Sequence, residues 1–387
     1  MNLAQDITYL GVNDHDIDLF EGQFPVPDGI SYNSYLITDE KTAVIDSVDM
    51  HFTAQWIAQV TEALQGTSPD YLIIHHMEPD HSGSIAQFMA TFPETIIVSN
   101  AKAFSMMQNF FGTAYEDRQL IVKNGDELSL GTHTLSFTFT PMVHWPEVMM
   151  SYDSATGVLF SADAFGTFGA LDVEQTSWEE EARRYYFGIV APYGKQVQAA
   201  LKKLSGLNIA AIYPLHGPVL TENLSFYLDL YKTWSSYEAE TPGVVIACAS
   251  VYGHTNKAAR ELADQLKKQG VPVVLHDLTR NHDSYAIANA FRYSTLVCAS
   301  ITYNGAAFPA MQNFMHELAE KKYQNRTVAF IQNGSWAPMA TKAMKQTLEG
   351  CSDLKLAETE VTLAGSTDES SQGQIATLAQ ELVQANQ

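Results

Sequence analysis

The chain has 387 residues, 44 acidic against 22 basic side chains, and a formal charge of −22. At about 100–200 residues per domain, this length predicts two domains or three. The apolar fraction of 46% argues against disordered and fibrous classes, and the charge argues against a grip on nucleic-acid phosphates or anionic membranes.

The N-terminal stretch has neither a basic region nor an apolar core of the kind a signal peptide needs. No apolar run reaches the roughly 18 residues of a membrane span. Cys248, Cys298 and Cys351 lie far apart, and no Cys-x-x-Cys pair exists. Zinc ribbons and rubredoxin-type iron sites are therefore not expected. A disulfide framework is not expected either, and a reducing cytoplasm is the simple reading.

The first part, to about residue 240, reads as short β-rich runs at 43–46, 71–74, 95–98, 135–139, 158–160 and 209–213. Helical patterns at 53–64 and 194–204 lie between them. The mixture predicts sheets flanked by helices. The polar stretch Glu238-Ala-Glu-Thr-Pro242 reads as a linker or domain entry. Beyond it, strands at 244–249, 271–276, 295–299, 327–331 and 356–362 alternate with helices at 256–269, 283–291, 310–321, 339–348 and 371–384. Five such units predict a doubly wound parallel sheet. The expected domains are 1–240 and 243–387.

The first chemistry-bearing motif follows the 71–74 run: His76-x-Glu78-x-Asp80-His81, then Ser82-Gly83. Four metal-competent side chains within six residues, just past a buried strand, are hard to explain by packing. Buried unpaired, they would cost several kcal/mol, and a bound cation removes that cost. His75 does not fit the alternation and reads as a supporting residue. Three more candidates also close apolar runs: His144 in Pro141-Met-Val-His-Trp-Pro146, Asp163 in Leu159-Phe-Ser-Ala-Asp163, and His216 in Ile212-Tyr-Pro-Leu-His216. A sheet-based site gathers its ligands at such loop openings.

In the second part, the 244–249 strand runs into Ser250-Val-Tyr-Gly-His-Thr-Asn256 and a helix. Small and hydroxyl residues at such a turn offer N–H groups and a positive helix end to a phosphate. Gly-x-Gly-x-x-Gly and the Walker lysine pattern are missing, which disfavours dinucleotide and P-loop readings. The third strand ends in Ser300-Ile-Thr-Tyr-Asn-Gly305, and the fourth is followed by Gly334-Ser-Trp336. In the order 2-1-3-4-5 these three loops converge on the crevice where flavin mononucleotide (FMN) binds. The candidate contacts are Ser250, Tyr252, Gly253, His254, Thr255, Asn256, Ser300, Ile301, Thr302, Tyr303, Asn304, Gly305, Gly334, Ser335 and Trp336.

The metal motifs, in chain order, resemble those of the metallo-β-lactamase fold, with Glu78 where its common form has histidine. Carboxylate for imidazole shifts preference from zinc towards iron or manganese. A set of seven ligands suits two metals spaced roughly 3.5–4 Å apart. The Ser250–Asn256 turn resembles the flavodoxin phosphate loop, with Tyr252 where many flavodoxins have threonine. The Trp336-Ala-Pro338 loop departs further from flavodoxins.

The pairing, together with Ser31-Tyr-Asn-Ser-Tyr-Leu36 and His144-Trp-Pro146, resembles the flavodiiron proteins (A-type flavoproteins) over nearly the whole chain. The resemblance implies an αββα metallo-β-lactamase-like sandwich followed by a flavodoxin-like sheet. It also implies an oxidoreductase in which FMN passes electrons to a non-haem di-iron centre that reduces O2 to water, NO to N2O, or both. By motif, His76, Glu78 and His144 hold one iron, Asp80, His81 and His216 the other, and Asp163 bridges. A separate electron donor such as rubredoxin or a reductase is expected, as is a head-to-tail homodimer or tetramer. Two readings stand against this one: a di-zinc hydrolase with a fused flavodoxin domain, and an electron-transfer module with a dead metal site.

Overall fold

The computed structural model describes residues 3–174 and 177–386. It divides into two compact units, Met1–Tyr186 with Tyr193–Lys232, and Phe187–Pro192 with Thr233–Gln387. The stretch expected to be a linker is thus built into the second unit. Glu240 donates its N–H to the Arg292 carbonyl, the strand Thr241–Ala249 begins at once, and the Tyr237 hydroxyl donates to Ala191 O at 2.7 Å. Phe187 stacks flat on Phe291 at 4.0 Å, which explains why 187–192 belongs with this unit.

The first unit is a sandwich of two mixed sheets. One runs in the order Ile7–Tyr9, Tyr35–Ile37, Ala43–Ile45, Tyr71–Ile73, Ile96–Ser99, Gln119–Ile121, and is parallel from Ala43–Ile45 onward. The other runs Glu127–Ser129, Thr134–Phe139, Met149–Asp153, Val158–Phe160, Ala211–Tyr213. The core lies between them: Tyr35, Ile45, Ile73 and Val98 from one sheet meet Leu135, Phe137, Phe160 and Tyr213 from the other. Helices absent from the sequence reading, such as Ala101–Phe111 and Trp178–Tyr185, complete the unit.

Strand direction positions the site. Thr134–Phe139 and Val158–Phe160 both pair antiparallel with Met149–Asp153, and Ala211–Tyr213 is parallel to Val158–Phe160. All three therefore run the same way, and their C-terminal ends open at one edge of the sheet. These are the ends that carry His144, Asp163 and His216.

The second unit has the order Val273–Asp277, Thr241–Ala249, Tyr293–Tyr303, Arg326–Asn333, then Leu354–Leu356 and Val361–Leu363. Numbered along the chain this is 2-1-3-4-5, with every pairing on this path parallel. The expected fifth strand at 356–362 is two short strands. Between them the N–H groups of Glu358 and Thr359 leave the ladder and donate to the Glu381 carboxylate at 2.7 and 3.1 Å.

At the base of the central strands the Arg326 guanidinium, 2% exposed, donates to the carbonyls of Tyr237, Glu238, Phe291, Tyr293, Gln324 and Asn325. Leucine there would leave several buried acceptors without donors, each costing about 1–3 kcal/mol. Arg326→Leu should therefore lower the stability read from urea unfolding by at least about 3 kcal/mol. Burial pushes the Cys248 thiol up to about 12 and Cys298 higher still, while Cys351 is only half-buried. A colorimetric disulfide reagent at pH 8 should therefore titrate one thiol per native chain, Cys351, and all three after unfolding.

Candidate metal centre and flavin pocket

The seven candidate ligands meet inside the first unit. Donor atoms of His76, Glu78, His144 and Asp163 lie within 4.8 Å of one another, as do those of Asp80, His81 and His216. Asp163 lies between the groups. Its Oδ2 is 3.2 Å from His76 Nε2 and 3.1 Å from His144 Nε2, and its Oδ1 is 3.2 Å from His81 Nε2 and 3.8 Å from His216 Nε2. Glu78 Oε2 is 2.9 Å from His144 Nε2 and 3.2 Å from His76 Nε2.

The supporting bonds set which nitrogen faces inward. His76 Nδ1 donates to Glu147 Oε1 at 2.8 Å, and His216 Nδ1 donates to the Ser31 carbonyl at 2.8 Å. In the neutral rings both Nε2 atoms then carry lone pairs, and both point into the cluster. His216 sits on a turn that Asn33 clamps, with Nδ2 donating to Pro214 O and Gly217 O at 2.8 Å each. Gly217 has φ +79°, and a Cβ there would fall 2.2 Å from Thr167 Cγ2, so only glycine fits after His216. The Ser31-Tyr-Asn33 segment of the sequence reading is therefore a brace for this ligand.

The donor set fits a pair of cations. Both oxygens of Asp80 and of Asp163 are buried without a hydrogen bond of acceptable geometry. The Nε2 atoms of His81 and His216 face each other at 3.0 Å. Lone pairs crowded in this way repel unless positive charge lies among them. Within the protein, that charge falls to the imidazoles. Burial opposes ionisation of Asp163, yet His76, His144 and His81 hold it well below the usual carboxylate range. Burial likewise opposes a charge on His144, but Asp163 and Glu78 raise it to about 9, and Asp163 with Glu147 and Glu78 raises His76 well above its ordinary value. Protons and metal compete for the same atoms.

Several residues at this site were not singled out from sequence. Glu147 orients His76 and also accepts the Met77 N–H at 2.9 Å. Its one signal was its place three residues after His144. Tyr185 is buried with its ring 5.5 Å from that of His216; burial, then Asp163 and Asp80, push its phenol well above its usual value. Glu21 sits at the turn between Leu19–Phe20 and Phe24–Pro25, within electrostatic reach of Glu78. Partial burial of its carboxyl and the charge of Glu78 raise it to about 8. Neither Tyr185 nor Glu21 carries a local signal, because each reaches the cluster from a remote element.

In the second unit a cavity of about 620 Å³ opens at the ends of the first, third and fourth strands. Of the expected contacts, Ser250, Tyr252, His254, Thr255, Ile301, Thr302, Asn304, Gly305, Gly334, Ser335 and Trp336 line it. Gly253, Asn256, Ser300 and Tyr303 do not. Gly253 forms the turn at φ +89° that starts the helix His254–Lys268. Asn256 Oδ1 accepts from Arg260 Nε, Ser300 Oγ accepts the Phe308 N–H, and Tyr303 packs edge-on against Phe308. Asn333, Met339 and Gly365 are additions. Asn333 exchanges two hydrogen bonds with the Gly365 backbone at 2.8 and 2.9 Å and donates to Thr255 Oγ1 at 3.3 Å. No lysine or arginine is among the lining residues, so helix N–H groups and hydroxyls are the available phosphate donors. Tyr252 and Trp336, 91% and 84% exposed, present aromatic faces at the rim, where a planar ring could stack.

Residues 30–217 match the family model "ODP family beta lactamase". Across 359 residues the chain is 28% identical to the anaerobic nitric oxide reductase flavorubredoxin of Salmonella paratyphi B, covering 90% of this chain and 74% of that protein. The rubredoxin oxygen:oxidoreductase of Desulfovibrio gigas superposes with a TM-score of 0.91 at 26% identity, covering 100% of this chain and 98% of that one. A flavo di-iron protein of Thermotoga maritima superposes at 0.89 with 23% identity, covering 98% and 96%, a likeness of fold. The matched relatives span both units, and the metal motif with its carboxylate at position 78 and the flavodoxin-type pocket occur in one chain: across both units it is similar to the flavodiiron proteins.

Proposed function

We propose that this chain is an oxidoreductase that takes electrons through FMN to a non-haem di-iron centre and reduces O2 to water, NO to N2O, or both. The observation that carries the reading is the seven-donor cluster, with Glu78 in its first motif, in the same chain as the pocket at the sheet's switch point. The names of the Salmonella and Desulfovibrio relatives support both substrates. Iron supplies redox-active positions for a diatomic and FMN supplies electrons singly, neither of which a zinc pair can do. His76, Glu78 and His144 would hold one iron and Asp80, His81 and His216 the other, with Asp163 placed to serve both. The placement of each Asp163 oxygen beside a different histidine group supports that role. Glu147 and the Ser31 carbonyl keep the Nδ1 atoms of His76 and His216 occupied, so that Nε2 is the ligand atom. The Ser250–Thr255 turn receives the FMN phosphate.

The electron donor is a separate protein, rubredoxin or a reductase, as the Desulfovibrio relative's name suggests. Among the described residues no helix is long and apolar enough to cross a membrane, and three cysteines without a disulfide fit a cytoplasmic protein. The functional unit is a head-to-tail homodimer or tetramer in which the FMN of one chain serves the irons of the next.

Reduced anaerobically and mixed separately with O2 and with NO, the iron-loaded protein should consume at least one of them with about two irons per chain. Natively isolated protein holding two tight zincs and inert to both gases would favour the hydrolase instead. Asp163→Ala should abolish turnover, because it leaves two cations facing each other unbridged. Substitution of Thr255 should release FMN, read as recovered flavin fluorescence, without emptying the iron site. Mixing Asp163→Ala chains with chains altered at Ser250 and Thr255 should restore part of the activity once subunits exchange. Verified exchange without recovery would show that electrons do not cross between chains.

A further inference from the structure

His75, beside the first metal ligand, is fully buried and does not face the cluster. Its Nδ1 donates to Asp46 Oδ2 at 2.6 Å and its backbone N–H donates to Asp46 Oδ1 at 2.7 Å. Its Nε2 accepts from the Ser151 hydroxyl at 2.9 Å. Asp46, His75 and Ser151 are 0%, 1% and 0% exposed. The acid–imidazole–hydroxyl order is that of a catalytic triad, but nothing from solvent reaches it, so it is not a nucleophile.

Its placement assigns a different task. Asp46 follows the strand Ala43–Ile45, and His75 follows the neighbouring strand Tyr71–Ile73. Ser151 lies on Met149–Asp153, in the opposite sheet of the sandwich. The three side chains form a polar bridge between two sheets whose shared core is largely apolar. The same segments meet again on the backbone, where the Met149 N–H donates to the His75 carbonyl at 3.2 Å. Both peptide groups of residue 75 are thereby pinned, one from each sheet, immediately before His76. Next to Asp46, Ser47 donates its N–H and its hydroxyl to the His81 carbonyl, at 3.2 and 2.7 Å. The turn at 46–47 thus holds both ends of the segment that carries four ligands. Hydrophobic side chains of similar volume would fill this space with no charge to compensate. What they lack is direction, since apolar packing lets a strand end shift by fractions of an ångström and three hydrogen bonds at 2.6–2.9 Å do not.

We propose that the Asp46–His75–Ser151 bridge positions the His76 side of the metal centre, acting through the backbone of residues 75 and 76 and not by contact with metal. This rests on the di-iron reading above. The effect is asymmetric. Metal held through His76, Glu78 and His144 depends on the bridge, and metal held through Asp80, His81 and His216 depends on it less, because Ser47 grips that end separately.

The test uses the full chain loaded anaerobically with ferrous iron, in the parent and in Ser151→Ala, His75→Phe and the double variant. Two measurements are made: release of each iron to a chelator and the Mössbauer spectrum. Loss of a supporting bond typically weakens metal binding 10–100-fold. Ser151→Ala and His75→Phe should each release one iron about 10-fold faster and the other at the parent rate, with one of the two iron signals altered. The double variant should be no worse than His75→Phe, since both changes break one bridge. If His75→Phe does not fold, Ser151→Ala, which removes a single hydroxyl, decides by the same measurements. Unchanged rates and spectra, or equal loosening of both irons with additive effects, overturn the proposal. A parent chain that retains no iron pair overturns the functional reading and this proposal with it. A parent that holds both irons, with unaffected variants, overturns this proposal alone.

Discussion

Three carboxylates and four imidazoles are held together at one end of the sandwich, and the first unit is arranged around the repulsion among them. Glu78, Asp80 and Asp163 lie close enough that their charges would separate the loops if nothing opposed them. Within the cluster the opposing charge is protonated imidazole, and the carboxylates accordingly raise His76 and His144. Metal ions replace those protons with more charge at the same points. A site of this kind is strained towards occupancy, and the strain must be borne by a rigid frame.

The frame is made of bonds that point away from the cluster. Glu147 takes the outer nitrogen of His76, the Ser31 carbonyl takes that of His216, and Asn33 ties the 214–217 turn to the segment that starts the unit. Asp46 and Ser47 hold the ends of the 75–81 segment. Each of these groups is buried, so each bond is made in a medium where an unmet partner is costly. The ligands can then be few, close and mutually repelling without pulling the loops apart. Strand direction does the remaining work, because it delivers three loop openings to one edge.

The second unit solves a different problem with different means. A phosphate-bearing cofactor on a chain of charge −22 must be held without lysine or arginine in its pocket. The turn before His254–Lys268 offers N–H groups and the positive end of a 15-residue helix, and the Asn333–Gly365 pair fixes the neighbouring loop against Thr255. Neutral donors on a stiff backbone suit a dianion here, since they need no counter-ion of their own.

Much of this was legible in the residues. The candidate ligands follow from donor types at strand ends, because no packing argument explains four metal-competent side chains in six positions. The order 2-1-3-4-5 and the phosphate turn follow from alternating strand and helix patterns, since periodicity is a local property. Glycine at 217 and the break in the fifth strand were not legible, as each depends on what lies opposite: Thr167 in one case and Glu381 in the other. The same holds for Glu21, Tyr185, the Glu147 that orients His76 from 71 positions away, and the partners of His75, Asp46 and Ser151, which lie 29 and 76 positions from it. The assignment of Phe187–Pro192 to the second unit is of this kind too, resting on contacts such as the Phe187–Phe291 stack and the Tyr237 hydroxyl on the Ala191 carbonyl. Sequence by itself determined which atoms could bind metal and phosphate, because that is a matter of chemistry residue by residue. Only the tertiary structure decided which way each imidazole faces and what holds it there, because hydrogen-bond partners distant in the chain become neighbours only when the two sheets close on each other.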